Sequence, residues 1–419
     1  MDSSYCSALP GQKPDFDADV KVALDRSRPV LLAKLAKAHG GELALLCLAA
    51  VHDAVPRDDK VLVKAMKKLS RIKLSRTYDL SLRLMVASEY LWLPNRQKLA
   101  VADQRKLLRN ISRDGGFDYN HVSKRWDLSN SQYGALGLRA AAAMGGEIPK
   151  NVWEGLIRST FTAQGEEGGF SYMTGGRRES ASMTAAGIVV ARISADHLDA
   201  ALVKQLDVER RLARAWEYLV EHKGEIGDRD TKNSFYFHYG LERACILSDV
   251  KDVDGKDWYR SGGEMLLRTQ LARGGWRSKV DHIQGGPDTD GSDSVSTSFA
   301  ILFLRRKFEK HVKPITPRSS VSIGRLSDQS TPDQIARVVQ ATVARGRAAM
   351  PAVLRGLRNT VKARRIAAAK ALFAITGQDF GFNPHVPPER SRAAATKAEL
   401  WWLKSKGQPP KVGKNPDQP

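Results

Sequence analysis

Over roughly its first three hundred residues the chain alternates two kinds of helical segment. Segment 20–37 sets Val20, Leu24, Leu31 and Leu35 at helical spacing among polar residues, whereas 42–54 contains LALLCLAAV and is apolar on every side. The first pattern has one wet face; the second has to be covered all round. The alternation continues with 58–72 and 78–90, 97–111 and 129–143, 151–163 and 182–193, 208–222 and 234–247, and 258–270 and 296–303. Six such pairs predict an inner ring of apolar helices inside an outer ring of amphipathic ones. Closure removes the end repeats that an open stack has to cap, so the expected fold class is all-α, an α6/α6 toroid. Pro29 falls inside the first segment and is expected to kink or divide it.

A diglycine turn carrying an aromatic residue recurs along this pattern. Gly115-Gly116-Phe117 is followed 53 residues later by Gly168-Gly169-Phe170, and two such periods further by Gly274-Gly275-Trp276. The turn therefore reads as a corner of the ring, repeated for structural reasons. The inner segments also share a start signal of short polar residues: Asp127 and Asn130, Ser180 and Ser182, Asn233 and Ser234, and Ser294, Ser296 and Ser298. Such side chains accept from the free N–H groups of a first helical turn. In a toroid these starts gather at one rim of the central hole, where the positive ends of the helix dipoles favour an anionic or electron-rich ligand. The candidate rim residues are Asp127, Asn130, Gln132, Tyr133, Arg177, Tyr236, Tyr239 and Glu242.

The pattern changes after residue 310. Residues 311–331 are rich in Pro and Ser and read as a linker, followed by helices over 332–350, 361–375 and 391–404. The second of these begins near Asn359-Thr360 and stops at Gly377. The expected organisation is a polar lead (1–19), the toroid (20–310), the linker (311–331), a helical segment (332–405) and a disordered tail (406–419).

Charge refines this picture. The formal net charge is +21, and from Ile301 onward 23 basic residues face only 7 acidic ones. A surplus held at one end suits an acidic protein partner or an anionic surface better than specific reading of nucleic acid. Aromatic residues make up 7%, thin for a cavity that steers carbocations with ring faces. Cys6, Cys47 and Cys245 are scattered and imply no disulfide framework; the last two sit in apolar runs as small core residues. The amino terminus shows no basic-then-apolar signal peptide, and no stretch approaches the roughly 20 apolar residues that span a bilayer. Cytoplasmic location is the default expectation, with export returning if a leader has been trimmed.

Gln164-x3-Gly168-x-Phe170 and Gln270-x3-Gly274-x-Trp276 resemble the QW repeat of squalene cyclases and protein prenyltransferases. Ser182-Met-Thr-Ala-Ala-Gly187, Asp127-Leu-Ser-Asn-Ser-Gln132 and Phe237-His-Tyr-Gly-Leu-Glu-Arg243 look like the matching segments of bacterial prenyltransferase/squalene-oxidase-repeat proteins. This resemblance covers about residues 20 to 310 and implies an α/α toroid in which the Gln and the aromatic are structural. The first copy departs from it with Ile111 in place of the Gln, and the copy near 222–227 is degenerate. Separately, residues 364–381 followed by Trp401-Trp402 look like the close of a HEAT-type helical repeat.

The resemblance leaves the chemistry open. Type II terpene cyclisation needs a strong general acid, carried in that family by a DxDD motif. Here Asp288, Asp290 and Asp293 form DxD followed by Gly. Clustered carboxylates of this kind would raise one another's pKa. The zinc set of the prenyltransferases is absent, since Cys245 lacks an Asp two residues earlier, so neither metal nor cofactor is expected. No nucleophile elbow, P-loop or dinucleotide fingerprint occurs. Carbohydrate chemistry in such a toroid would draw on Arg177, Arg178, Glu179, Glu242, Arg243 and Asp293, with Tyr133, Tyr172, Phe235, Tyr236 and Tyr239 to stack on a sugar or a lipid. The leading expectation is a toroid whose central cavity binds an apolar or extended ligand. An atypical terpenoid cyclase or a carbohydrate-active hydrolase or lyase is the alternative, and a protein-interaction scaffold is the third.

Overall fold

A computed structural model describes residues 15–120, 125–175, 178–278, 290–308, 323–344 and 346–404. The expected lead up to residue 14, most of the expected linker and the tail lie outside these residues. The chain divides into two units, one from residues up to 141 together with 148–312, the other from 142–147 and 313 onward.

In chain order the first unit contains α1 (Phe16–Lys37), α2 (Gly40–His52), α3 (Lys60–Leu69), α4 (Thr77–Glu89), α5 (Arg96–Arg109), α6 (Leu128–Ala143) and α7 (Lys150–Thr162). A hairpin of β1 (Phe170–Ser171) and β2 (Glu179–Ser180) leads into α8 (Ala181–Ala195). After it come a short α9 (Ala200–Gln205), α10 (Val208–Glu221), α11 (Ser234–Ser248), α12 (Trp258–Thr269) and α13 (Ser294–Arg305). The apolar runs form α2, α4, α6, α8, α11 and α13; in α8 thirteen of the fifteen residues are buried. The amphipathic partners bury one stripe, Leu62, Ala65, Met66 and Leu69 in α3 and Val208, Leu212, Ala215, Tyr218 and Leu219 in α10. Inner helices touch in ring order, α2 with α4, α8 with α11, α11 with α13, and α13 back to α2, so the toroid closes. The fully buried Asp53 carboxylate locks that closure, receiving Arg28 Nε from α1 at 2.7 Å and Arg305 Nε from α13 at 2.9 Å. Pro29 does not divide α1, which runs unbroken from Phe16 to Lys37. Its ring is exposed, so the backbone acceptor it leaves unpaired one turn earlier sits on the wet face.

The corners show why the diglycine turn repeats. Gly168 has φ +93° and a Cβ there would lie 2.7 Å from the Arg214 carbonyl oxygen of α10; Gly274 has φ +98° and would meet the Arg26 carbonyl of α1 at 2.2 Å. Each corner therefore presses onto the next outer helix, and only glycine fits both the left-handed turn and the close approach. Gln164 Nε2 donates to the Gly168 and Arg211 carbonyls at 2.9 and 2.8 Å, and Gln270 Nε2 repeats this with Gly274 and Ala23. At the first corner Ile111 still pairs its backbone with Phe117, as Gln164 does with Phe170. The backbone N–H of each corner aromatic then donates to a hydroxyl on the following inner helix: Phe117 to Ser131, Phe170 to Thr184, Trp276 to Thr297. The degenerate copy keeps the geometry with other chemistry. Gly227 has φ +80°, and its N–H donates to His238 Nε2 at 2.9 Å. Burial pushes the His238 imidazole down to about 4, which keeps it neutral and accepting.

The second unit contains α14 (Pro332–Ala344), α15 (Met350–Leu357), α16 (Lys362–Thr376) and α17 (Arg392–Lys404). Here α16 packs on both α14 and α15. The helix expected over 332–350 instead ends at Ala344; Gly346, at φ +53°, redirects the chain before the unanticipated α15. Gly377, at φ +76°, ends α16. Among the described residues no helix is long and apolar enough to cross a membrane.

Candidate functional site

The starts of the inner helices surround a cavity of about 1000 Å³. Tyr78 reaches it from the first turn of α4, Ser129 and Tyr133 from α6, Ser182 and Met183 from α8, Tyr236 from α11, and Val295 and Phe299 from α13. Connecting segments add Tyr119, Tyr172, Arg178, Glu179, Glu225, Thr231, Lys232 and Asn233, and the end of α10 adds Tyr218 and His222. Helix starts are held open to the cavity by their caps. Ser180 accepts from Met183 N, and Asp293 accepts from Ser296 N at 2.6 Å. Asn233 departs from this expectation, standing at φ +57° with no side-chain capping bond, while the Ser234 hydroxyl donates to the Asp228 carbonyl.

The tyrosines form a wired wall. Ser129 Oγ donates to Tyr236 Oη at 2.8 Å, and Tyr236 Oη donates to Gln132 Oε1 at 2.6 Å. Ser129 has one hydroxyl hydrogen, so at the remaining contact of 2.6 Å Tyr78 must be the donor. The chain runs Tyr78 to Ser129 to Tyr236 to Gln132 and ties α4, α6 and α11 together. Burial raises the pKa of Tyr78, Tyr133 and Tyr236, so these phenols stay protonated and keep donating. The rings pack in turn: Tyr78 tilted on Tyr133 at 4.5 Å, Tyr133 near-parallel to the buried Tyr239 at 6.2 Å, and Tyr239 tilted against Phe299 at 4.7 Å. Fixed hydroxyls and fixed rings make the wall rigid, an apolar surface that ligand faces meet without reordering it.

The structure distributes the sequence candidates over several roles. Tyr133 and Tyr236 line the cavity. Asp127 is buried and caps α6, its two oxygens receiving Asn130 N at 2.7 Å and Asn130 Nδ2 at 2.8 Å; burial raises its pKa against these bonds and one from Tyr172. Asn130 and Gln132 are fully buried and serve the capping bond and the hydroxyl chain. Tyr239 and Glu242 sit deeper than a rim position, 0% and 1% exposed, because they lie beyond the first turn of α11. The Arg243 guanidinium lies 3.3 Å from the Tyr239 ring centroid and bonds Glu242 at 3.0 Å. Burial raises the Glu242 carboxyl to about 7 despite that arginine, and its buried Oε1 has no hydrogen-bond partner among the described residues.

Of the acidic triplet, Asp288 lies outside the described residues, as does Arg177. Asp293 caps α13; burial raises its pKa against bonds from Ser296 and Ser278. Burial would also raise Asp290, but Ser292 and Lys34, whose Nζ is 3.6 Å away, outweigh it and hold the carboxyl below its ordinary value. A carboxyl held low is a poor proton donor, and neither Asp290 nor Asp293 lines the cavity. Among the described residues no group of three His, Cys, Asp or Glu side chains is placed to hold a metal ion.

Sequence reasoning missed Tyr78, Tyr119, Tyr218, His222, Glu225 and Phe299. Tyr78 had a usable signal, since it stands in the first turn of an inner helix as Tyr236 does. Tyr218 and His222 belong to an outer helix, where a periodic reading assigns them to packing or solvent.

Scans against protein families and against curated proteins find no match to the chain. Among solved structures it is similar to the type II terpene cyclase MstE from Scytonema. The apo form of one variant matches with a TM-score of 0.46 and 14% identity over 70% of this chain and 97% of that one. A second variant of the same cyclase, in complex with its substrate geranylgeranyl dihydroxybenzoate, matches with a TM-score of 0.45 and 13% identity over 70% and 98%.

Proposed function

We propose that the toroid binds an elongated, largely apolar ligand in its central cavity. The observation that carries this reading is the wall itself: a cavity of about 1000 Å³ lined by six tyrosines and Phe299, with Tyr78 and Tyr236 anchored through their hydroxyls. Cavities of this size and mixed lining enclose ligands of several hundred daltons. Among the described acidic candidates Asp290 is held below its ordinary pKa and Asp293 is committed to capping α13, and neither lines the cavity, which favours binding ahead of cyclisation chemistry. Diphenylhexatriene, a rigid apolar rod that fluoresces on leaving water, tests the reading. Saturable enhancement at one site per chain is expected, abolished by Val295→Trp, which fills the cavity from a half-exposed position on α13. Enhancement that is unsaturable, or indifferent to Val295→Trp, would remove the proposal.

A further inference from the structure

One end of the cavity is built differently from its tyrosine wall. There α10 finishes with Tyr218 and, one turn on, His222, their rings stacked with centroids 4.0 Å apart and planes 16° from parallel. His222 Nδ1 lies 2.9 Å from the Tyr218 carbonyl oxygen. A carbonyl only accepts, so Nδ1 carries the hydrogen, and Nε2 of the neutral ring is an acceptor. Among the described residues Nε2 makes no hydrogen bond, and the ring faces the cavity. The stack and the backbone bond fix its direction before any ligand arrives.

The surrounding charges decide what such an acceptor would recognise. Glu179 and Glu225 line this cavity together with Arg178 and Lys232, two negative groups against two positive ones. Glu167 and Glu221 also act on Tyr218 at this end, so an anionic head group is disfavoured there. The tyrosine wall is also committed: Ser129 and Tyr236 each already donate their one hydroxyl hydrogen within the chain that ends on Gln132. Among the groups left open at this end, His222 Nε2 is an acceptor whose position is fixed by its own helix, and its complement is a hydrogen-bond donor.

We propose that His222 Nε2 accepts a hydrogen bond from a hydroxyl group at the polar end of the elongated ligand, making His222 the residue that selects an alcohol or phenol over an ether or hydrocarbon of the same length. This rests on the cavity-binding reading above. Removing a donor that pairs with a preorganised acceptor weakens binding by about fivefold to tenfold.

The test displaces diphenylhexatriene from the full chain with dodecan-1-ol and with 1-methoxydodecane. The unsubstituted protein should bind the alcohol about fivefold to tenfold more tightly. His222→Phe, which keeps the ring stack and removes the acceptor, should bring the alcohol down to the affinity of the ether and leave the ether unchanged. Equal displacement by the two compounds in the unsubstituted protein overturns the subsite while leaving the cavity reading in place, and needs no variant to fold. An alcohol preference that survives His222→Phe overturns the role of this residue. Absence of displacement by either compound removes both readings together.

Discussion

The corners of the ring and the wall of its cavity are made by the same inner helices, yet they are organised on opposite principles. At a corner the turn, the residue before it, the aromatic and the hydroxyl beneath come from one stretch of about thirty residues, and the arrangement recurs. Gly168 turns the chain, Gln164 ties the turn to α10, and Phe170 drops beneath Thr184 and against Gly187. The cavity wall takes one or two residues from each of several helices; Tyr78 and Tyr236 share first-turn positions and Tyr133 and Phe299 each stand five residues after their helix start, but the residue types at such positions change from repeat to repeat. Corner residues should therefore govern stability, and wall residues ligand affinity.

The largest effect expected of that contrast lies at a corner. Phe170→Ala empties a fully buried site and should destabilise the first unit by about 3–5 kcal/mol in urea melts, with loss of binding only as the fold is lost. A destabilisation below about 1 kcal/mol would mean that the corner is not the structural unit described here.

A second expectation concerns the buried charge behind the wall. The Glu242 carboxyl titrates at about 7 in the folded chain against an ordinary 4.5. Its folded pKa is raised, so its contribution is fully present below pH 4.5 and is lost as pH rises through 7, by up to about 3 kcal/mol. His238, lowered to about 4 from 6.5, acts in the other direction: its contribution is present above pH 6.5 and is lost as pH falls through 4. The two contributions offset each other between about pH 4.5 and 6.5, so stability should be level there and fall on either side, and Glu242→Gln should abolish the fall above pH 6.5 and leave stability rising with pH up to that point. An alkaline slope unaltered by Glu242→Gln would show that the carboxyl is not buried in this way.

The smallest stability change should come from the wall. Tyr236→Phe removes the middle of the hydroxyl chain and leaves the buried Gln132 Oε1 unpaired but keeps the ring, at about 1–2 kcal/mol. Its ligand affinity should shift more than its urea midpoint, the reverse of Phe170→Ala. Parallel losses of both quantities would erase the distinction between wall and corner.

The two regions also differ in how far they are legible in the sequence. Helix pairing and three of the corners are readable because each depends on local periodicity and on residues a few positions apart, such as Gln164, Gly168 and Phe170. The fourth corner is not, because His238 replaces a hydroxyl and only a folded chain brings it to Gly227. Capping logic correctly draws attention to Asp127 and Asp293, but it cannot tell a cap that faces the cavity from one buried beside it; both have their oxygens committed to first-turn bonds. Tyr133 and Tyr236 are flagged by position, whereas Tyr218 and His222 reach the cavity from an outer helix that periodicity assigns to the periphery. What is lost is the juxtaposition of distant segments, which no spacing within one repeat encodes.

The most direct test of the central claim is photolabelling of the full chain with a diazirine-bearing long-chain alcohol, followed by peptide mapping. The account predicts saturable labelling confined to peptides that carry cavity residues such as Tyr78, Tyr133, Tyr218, Tyr236 or Phe299, suppressed by excess diphenylhexatriene. Labelling spread over outer helices other than α10, or confined to residues 323–404, would contradict it.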